Sequence, residues 1–531
     1  MNKKTITRIL ITLLFALIYF YIVLPPLNFQ SFSFLMFILI TMMVYIGSGV
    51  VNILDIKRIF NKRININFKP TGLIVISMIL IVLLPMIINF ILSPIFFAKS
   101  YSRRITVDES HEFINDVKQV DFSKFPLIDK DSSTKLGDRV MGQMPEMVSQ
   151  FNVSNLYTQI NYKEEIIRVT PLEYSGFIKY LTNKNTGVKG YIKVNSVTGN
   201  AELIKLDKGM NYLDSAYFSK DLNRKLRFSY PTFIFDTKSF EIDNEGNPYW
   251  IVPVVKYIGV ELRKEIKGVV VLNAIKGDST YYEIGKVPSW IDHVYPSSLI
   301  LEQLDDWGKF KKGFFNSIIG QKNVIATTEG YNYLVMNDDV YLYTGITSVL
   351  ADEANIGFVL TNLRTKETRY YSVPGAEEYS AMSSAEGQVQ QMKYKATFPL
   401  LINLNNKPTY LISLKDNAGL VKMYAFVDVH DYQKVVVTDA SLGIEKAAEN
   451  YIGGNLNLDE SKLQTIKITI SSINMVVIDG NSYYYIVDTN GNKYKTNIKT
   501  SKDKLPFLKT NDSIEIYYKE KKEVTDISVI K

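Results

Sequence analysis

The feature that most constrains this chain is a set of three long apolar segments within its first 97 residues. They cover about residues 6–24, 32–54 and 72–97. Each spans or approaches the roughly 20 residues that a helix needs to cross the hydrocarbon core of a bilayer. The spacing therefore predicts three transmembrane helices, which form an anchor over residues 1–99.

The charges between the apolar segments predict which way the anchor faces. Cytoplasmic loops collect Lys and Arg. The connection between the second and third segments carries Lys57, Arg58, Lys62 and Arg63, whereas residues 25–31 carry no charge. The sequence therefore predicts a multi-pass protein of the cell membrane, with a cytoplasmic amino terminus and an extracytoplasmic domain after about residue 100.

Composition narrows the setting of that outer domain. The 531 residues include no cysteine, which excludes disulfides, thiolate nucleophiles, thiolate metal sites and a lipidated amino-terminal cysteine. An exported domain without disulfides suits a Gram-positive envelope. Much of the net charge of +7 comes from the cytoplasmic flanks of the anchor. The charge therefore gives no argument for a nucleic-acid partner.

A motif recurs along the outer domain. In its two best copies a glycine precedes four mostly β-branched or apolar residues and an asparagine, and a second glycine follows after three intervening residues. The motif residues are Gly190, Asn195 and Gly199 in the first copy, Gly268, Asn273 and Gly277 in the second, and Gly357 and Asn362 in the third. A fourth, weaker copy covers residues 425–434. The pattern is typical of a strand that ends in a tight turn.

Each copy lies within a run of three or four predicted antiparallel strands, and a helical pattern precedes some of these runs. One such pattern covers residues 219–228, and another covers 377–392, where apolar residues three or four apart form one stripe. The sequence therefore predicts a membrane-anchored α+β fold of repeated helix-plus-antiparallel-sheet modules. A first pair of modules is predicted over 141–290 and a second over 291–452, after a linker over 100–140.

The unit order and the glycine–asparagine turn resemble the PepSY-like family of bacterial envelope modules. The resemblance covers roughly residues 140–445 and includes no catalytic signature. It implies a protein that binds or restrains other envelope proteins, often peptidases, without chemistry of its own. The third copy lacks its terminal glycine and the fourth lacks both glycines and the asparagine.

The last part of the chain has a different pattern. Glycines and an asparagine at 453–455 break a predicted helix, and five strand-like runs follow within about 70 residues. This pattern predicts a small β-barrel of the OB or SH3 kind over 455–531. Candidates for a glycan or protein contact are the tyrosines Tyr483, Tyr484, Tyr485, Tyr517 and Tyr518. The alternative is that these tyrosines are strand formers in a structural cap.

The sequence contains no evident catalytic, cofactor-binding or metal-binding constellation. The histidines His111, His293 and His430 are far apart and form no zinc-binding pair. Ser132 and Lys135 match a Ser-x-x-Lys pairing, but the other elements of penicillin-recognising enzymes are missing. The residues around Ser132 are typical of a polar linker. We therefore predict no catalytic residues, no cofactor and no metal.

These observations predict a non-enzymatic, membrane-anchored protein whose outer modules dock another envelope protein, as a scaffold or a regulator. Exposed strand edges and hairpin tips are natural docking sites for another chain. Two alternatives stay open: an envelope hydrolase whose site assembles only in three dimensions, and a sensor that signals through the helices to a separate partner. The expected partners are the lipid bilayer, an envelope protein and, through the barrel, a glycan; the oligomeric state is left open.

Overall fold

The computed structural model divides the chain into two compact units, Met1–Tyr451 and Ile452–Lys531. The described residues are 3–50, 68–122, 125–336, 338–348, 351–453, 464–478, 481–498, 501, 504–518 and 524–529. The helices are α1 Lys3–Val23, α2 Phe32–Val50, α3 Phe68–Ile91, α4 Pro94–Tyr101, α5 Phe113–Asp116, α6 Lys130–Gly142, α7 Pro145–Val148, α8 Phe177–Asn183, α9 Leu222–Ser229, α10 Ser297–Phe310, α11 Glu378–Gln388 and α12 Ile444–Ile452.

The strands fall into five sheets. They are β1 Val107–His111, β2 Phe151–Val153, β3 Thr158–Tyr162, β4 Glu165–Tyr174, β5 Val188–Asn195, β6 Ala201–Met210, β7 Ile234–Phe235, β8 Ser239–Ile242, β9 Pro248–Ile258, β10 Arg263–Asn273, β11 Ser279–Glu283, β12 Ile325–Thr327, β13 Asn332–Met336, β14 Asp339–Ser348, β15 Ala351–Asn362, β16 Thr368–Tyr371, β17 Gly375–Ala376, β18 Lys395–Ala396, β19 Leu400–Leu404, β20 Lys407–Lys415, β21 Val421–Asp428, β22 Val435–Asp439, β23 Gln464–Ile478, β24 Asn481–Asp488, β25 Lys493–Asn497, β26 Ser513–Tyr518 and β27 Val524–Val529. The predicted α+β fold class is confirmed.

Two of the amino-terminal helices are long and apolar enough to cross a membrane. These stretches are Thr5–Val23 in α1 and Leu73–Ile91 in α3. The apolar run of α2, Phe32–Ser48, is shorter, so the described residues contain two helices of spanning length and not the three predicted. The difference arises at the end of α2, because the predicted segment continues to residue 54 and residues 51–54 lie outside the described part of the chain. The two helices indicate membrane association.

The ends of the anchor helices are fixed to the folded domain by direct hydrogen bonds. The Arg227 guanidinium donates to the carbonyl of Leu24, in the connection between α1 and α2, at 2.9 Å. Near the end of α3, the side chain of Asn89 both donates to and accepts from the backbone of Val260, at 2.8 and 2.9 Å. The carboxyl ends of α1 and α3 therefore both contact the part of the domain between residues 227 and 260.

Four modules, each with five strands and a helix that precedes them, follow each other in the first unit, and module 1 contains two further short helices, α7 and α8. We call them module 1 (130–210), module 2 (222–283), module 3 (297–371) and module 4 (378–439). In each module the first long strand pairs on one side with two short strands and on the other with the rest of an antiparallel meander. The sheet orders are β2-β4-β5-β6, β11-β10-β9-β7, β1-β16-β15-β14-β12 and β18-β20-β21-β22, with β3, β8, β13 and β19 as the additional short strands on β4, β9, β14 and β20, and β17 on β15.

Successive modules share buried cores, because side chains alternate between the two faces of a strand. On β9, Trp250 packs into a cluster shared with module 1, and its neighbour Ile251 packs into a cluster shared with module 3. On β14, Leu342 belongs to the cluster shared with module 2, and Tyr343 to the cluster shared with module 4. Apolar burial contributes about 25 cal/mol per Å2, so these shared clusters hold the four modules in one unit.

The range 100–140, predicted as a linker, carries regular structure. β1 pairs in parallel with β16 of module 3. The helix α6 begins after Asp129, whose side chain accepts a hydrogen bond from the backbone N–H of Ser132 at 3.0 Å. Ser132 therefore lies in the first turn of a helix and not in a linker, since an aspartate at this position caps the free N–H groups of the first turn.

The second unit is a five-stranded sheet in the order β25-β24-β23-β26-β27. Its core contains Ile470, Ile486, Tyr494 and Ile514. Strands β25 and β27 form the two ends of the order, and among the described residues no hydrogen-bonded pair joins them. The sheet is thus a half-barrel and gives no support to the predicted OB or SH3 barrel. Short strands with clear turns predict neighbouring pairs, whereas closure also depends on strand tilt and stagger.

Candidate functional site

The glycines of the repeated motif lie where two strands approach closely. A Cβ at Gly190, Gly268 or Gly357 would stand 2.8, 2.3 or 2.4 Å from a backbone carbonyl oxygen of the next strand. The strand pairing is irregular beside each of the three glycines. These glycines are therefore required by the sheets and present no side chain to a ligand.

The motif asparagines shape the turns that follow. Each side-chain Oδ1 accepts two backbone N–H groups, at 2.8 to 3.0 Å, in an Asx-type turn. The asparagines are Asn195, Asn273 and Asn362. Gly199 and Gly277 then adopt φ values of +73° and +78°. In the third copy Lys366 takes that position with φ +67°, so the turn persists without its glycine.

The remaining predicted residues do not assemble into one site. His111 pairs with Asp116 at 2.5 Å, and His430 hydrogen-bonds the carbonyl of Pro374 at 2.8 Å. Lys135 donates to the carbonyl of Ala418, while Ser132 Oγ has no hydrogen-bond partner among the described residues. Ser132 and Lys135 are thus not a bonded pair. The topology residues Lys57, Arg58, Lys62 and Arg63 lie outside the described residues.

The motif residue Asn362 and the candidate tyrosines belong to different units. In module 3, the side chain of Asn362 donates to Asp339, which also pairs with Arg364 at 2.7 Å. In the second unit Tyr484 is buried, and Lys495 lies 4.6 Å from the ring centre of the half-buried Tyr483. The side chains of Tyr517 and Tyr518 lie outside the described residues. No group of three His, Asp or Glu residues in the described part of the chain could hold a metal ion.

A cleft lies between modules 3 and 4, and the preceding chain crosses it. The edge strand β13 of module 3 and the edge strand β19 of module 4 border the cleft. Residues 116–122 and 125–131, which we call the strap, run along it. The backbone N–H of Val120 donates to the carbonyl of Asn403 on β19 at 2.9 Å, and the side chain of Asn403 donates to the carbonyl of Val117 at 2.7 Å. The strap therefore occupies part of a strand edge as an added strand would.

Two cavities remain between the strap and the edge strands. One has a volume of about 420 Å3 and is lined by the strap, Leu334 to Met336 and Leu401 to Asn403. The other, of about 260 Å3, extends from Pro126 to module 1 and reaches Gln159 and Arg168. Both are lined by Pro126, so they follow one path along the strap.

Arg168 is the buried cation of this cleft. It lies on β4 and donates to the side chain of Gln159 at 2.6 Å and to the carbonyl of Ile128. No carboxylate is hydrogen-bonded to it among the described residues. Burial lowers the pKa of Arg168 to about 10, while the charges of Asp129 and Asp131 act in the opposite direction. A guanidinium has five N–H donors, so the two hydrogen bonds leave donors for a further acceptor.

The partner of Arg168 adds a second free donor. The Nε2 of Gln159 is buried and has no hydrogen-bond partner among the described residues. An unsatisfied buried donor costs about 1–3 kcal/mol. The nearby Asp129 is already engaged with Lys415. Although burial raises the pKa of Asp129, its ion pair with Lys415 and the N–H of Ser132 lower it overall. The cavity thus presents unsatisfied donors, which suits an anionic or carbonyl-bearing group.

A buried acidic pair lies on the other side of Gln159. Glu241 accepts the backbone N–H groups of Asp292 and His293 at 2.9 and 3.1 Å, and Asp292 accepts the N–H of Asn161 at 2.7 Å. Burial and the charge of Glu241 raise the pKa of Asp292 well above its usual range. These hydrogen bonds join module 1, module 2 and the connection that precedes module 3. Both carboxylates are buried and neither lines the two cavities.

Neither the protein-family models nor the curated proteins compared with this chain match it. The site is therefore assigned from its own geometry: two strand edges, a strap that pairs with one of them, and the unsatisfied donors of Arg168 and Gln159.

Proposed function

We propose that the protein is a membrane-anchored, extracytoplasmic docking protein of the cell envelope, which binds an extended segment of another envelope protein in the cleft between modules 3 and 4. It acts as a scaffold or regulator and not through chemistry of its own. The resemblance of its modules to PepSY-like domains favours the same role, and we propose that relationship on the shared order of helix and meander.

The pairing of the strap with β19 is the observation that carries this proposal. An extended peptide recognises a sheet edge through main-chain hydrogen bonds, and side-chain pockets give specificity. The strap already makes this kind of contact through Val120 and Asn403. The adjoining cavity of about 420 Å3 supplies a pocket lined by Leu334, Met336 and Leu401, and Arg168 supplies a charge for an acidic side chain or a terminal carboxylate.

We also propose that α1, α2 and α3 all cross the membrane, with the amino terminus inside. The hydrogen bonds of Leu24 and Asn89 to module 2 support this arrangement, since they hold the ends of α1 and α3 on the domain side. The basic residues 57–63 would then lie on the opposite, cytoplasmic side, as the distribution of Lys and Arg requires. The domain that carries the cleft would face the cell wall.

Site-directed photocrosslinking on intact cells tests the docking function. Tyr331 lines the same cavity as Arg168, and p-benzoylphenylalanine in its place reports what enters the cleft. Tyr432, in the connection between β21 and β22, has nearly the same exposure and is the matched control. We expect a protein adduct from position 331 that is missing from position 432. The adduct should decrease when Arg168→Met is added, because the charge that attracts the partner is removed.

Two results would overturn the proposal. Equal adducts from both positions would show that the cleft is no preferred surface. Adducts with glycan alone, or none at position 331 while the protein is correctly inserted, would exclude a docked envelope protein at this site.

A further inference from the structure

A group of highly exposed apolar side chains lies just after α10. Within residues 309–322, the side chains of Phe315, Ile318 and Ile319 are 68, 57 and 82% exposed. A single π-helical turn, Asn316–Gly320, presents the two isoleucines. Large exposed apolar side chains that are adjacent in the fold mark an interaction surface. We call this stretch the basic apolar segment, because lysines stand at both of its ends.

This segment is connected to the anchor by a chain of aromatic contacts. Phe90 near the end of α3 contacts Phe96 of α4 at 5.5 Å between ring centres. Tyr101 at the end of α4 contacts Phe310, at 6.0 Å, and Phe310 stacks on Phe314 at 6.4 Å. The basic apolar segment therefore lies beside α4, which directly follows the carboxyl end of α3.

A second apolar patch lies beside α1. The ring of Phe228, 57% exposed, contacts Phe20 of α1 at 5.9 Å. Arg224 lies over the ring of Tyr21 at 4.2 Å and donates to the carbonyl of Phe218 at 2.7 Å.

The same patch continues onto module 1. Phe218 contacts Phe177 at the start of α8, at 6.2 Å. Ile178, the next residue of that helix, is 65% exposed. Contacts through Arg224 and Phe218 thus connect α1 to module 1.

Positive charge accompanies both surfaces. Lys309, Lys311, Lys312 and Lys322 flank the basic apolar segment, and the second patch is accompanied by Lys179, Lys220, Arg224 and Lys225. Arg224 also lines an open cavity of about 620 Å3 at the connection between α1 and α2, and its Nε has no hydrogen-bond partner among the described residues. Apolar side chains flanked by lysines are the pattern of surfaces that lie in the interface of an anionic bilayer.

We infer that the basic apolar segment and the patch around Phe177, Phe218 and Phe228 insert into the outer leaflet of the membrane and contact anionic lipid headgroups. The inference rests on the proposed anchoring but not on any docked partner. These two surfaces would place the domain against the bilayer at two points, one beside α1 and one beside α3. The direction in which the cleft is presented would then be fixed by lipid contacts as well as by the anchor.

Spin labels on single cysteines in the full chain test the inference, since the protein has no cysteine of its own. The labelled variants Ile319→Cys and Ile178→Cys are reconstituted in nanodiscs that contain phosphatidylglycerol. Leu14→Cys, in the middle of α1, is the lipid control, and Leu420→Cys, an exposed apolar position between β20 and β21, is the aqueous control. Accessibility to oxygen, which concentrates in lipid, is compared with accessibility to a water-soluble nickel chelate.

We expect positions 319 and 178 to follow position 14, with an oxygen-to-nickel ratio several-fold above that of position 420. The ratio at 319 should fall when Lys312→Gln and Lys322→Gln are combined, or when the nanodiscs contain only phosphatidylcholine. If position 319 follows position 420 while position 14 is in lipid, the inference is wrong and the anchoring stands. If position 14 is itself aqueous, the anchoring fails. Protection of position 319 from both reagents would mean that a protein, such as a second copy, covers the segment, and would also overturn the inference.

Discussion

Two of the regions of the first unit that bury an arginine use it in opposite ways. Beside the anchor, Arg104 donates to the carboxylates of Glu302 and Asp306 and lies 3.4 Å from Glu265. In the cleft, Arg168 has two uncharged acceptors and no ion pair among the described residues. One guanidinium is neutralised by its surroundings, and the other is not.

The pKa values reflect that difference. Burial lowers the pKa of both arginines, but the hydrogen bonds that Arg104 donates to Glu302 and Asp306 outweigh it and raise the pKa of Arg104. Burial dominates at Arg168 and lowers its pKa to about 10. A buried charge without an ion-pair partner is costly to the fold. The buried Arg227 also lacks a carboxylate partner, but it donates to four backbone carbonyls, whereas Arg168 has two acceptors and lines a cavity. The comparison distinguishes Arg104, which stabilises the fold, from Arg168, which can bind a ligand. The following predictions test this distinction.

The largest expected effect is that of Arg104→Ala. The change leaves carboxylates on α10 and β10 without their cation, and breaking a buried ion pair costs roughly 3 kcal/mol. Thermal unfolding of the detergent-solubilised full chain measures the loss as a lower midpoint. Arg103→Ala, at the adjacent exposed position, is the matched control and should leave the midpoint nearly unchanged. Equal effects of the two variants would show that the ion pairs of Arg104 do not hold the modules together.

A smaller effect, of opposite sign, is expected from Asp292→Asn. The raised pKa of Asp292 means that its ionised form is disfavoured in the folded chain, so stability falls as the pH rises from the ordinary carboxyl value of about 3.9 through the raised value. Asparagine keeps an acceptor for Asn161 and removes the charge. The variant should therefore be more stable at pH 8 by about 1 kcal/mol, and its advantage should shrink toward pH 5.

Unfolding midpoints across that pH range check this prediction. Asp207→Asn, at an exposed position on β6, controls for the loss of one surface charge. An advantage that is independent of pH would contradict the assignment of a disfavoured buried carboxylate.

Arg168→Met should change stability less than either variant, which is the central contrast with Arg104. It leaves the acceptors of Ile128 and Gln159 unpaired, a cost of about 1–3 kcal/mol, and it removes an uncompensated buried charge, which offsets that cost. The expected net loss is below about 1 kcal/mol. The same thermal unfolding experiment measures it. A loss as large as that of Arg104→Ala would mean that Arg168 is structural and would weaken its role in docking.

Part of this architecture could be predicted because its chemistry is local. The turns at Asn195 and Asn273 depend on residues within five positions of one another, and their spacing is visible in the sequence. The helix predicted over 377–392 shows the limit of periodicity. Its stripe predicts burial from Tyr379 to Met392, but both of those side chains are exposed. For Met392 the reason is that α11 ends at Gln388, before the stripe is complete.

The cleft could not be predicted, because it joins parts of the chain that are far apart. Asn403 contacts Val117 across 286 positions, and no local pattern specifies which strand edge the preceding chain follows. One local signal was available at Arg168, a cation between apolar residues in a predicted strand. Such a residue indicates either a buried ion pair or a ligand, and only the arrangement of modules 1, 3 and 4 decides between them.

The smallest expected effect on stability is that of Lys311→Gln in the basic apolar segment. Lys311 pairs with Glu109 at 2.6 Å, but both side chains are about half exposed, and such pairs contribute roughly 0–1 kcal/mol. The unfolding midpoint in uncharged detergent should therefore stay within error of the parent chain. If this lysine instead lies over anionic headgroups, its removal should lower the oxygen-to-nickel ratio of the label at position 319 in phosphatidylglycerol nanodiscs without destabilising the fold. A large drop in the midpoint would show that Lys311, like Arg104, stabilises the fold. One fewer lysine of the segment would then be available to contact lipid headgroups.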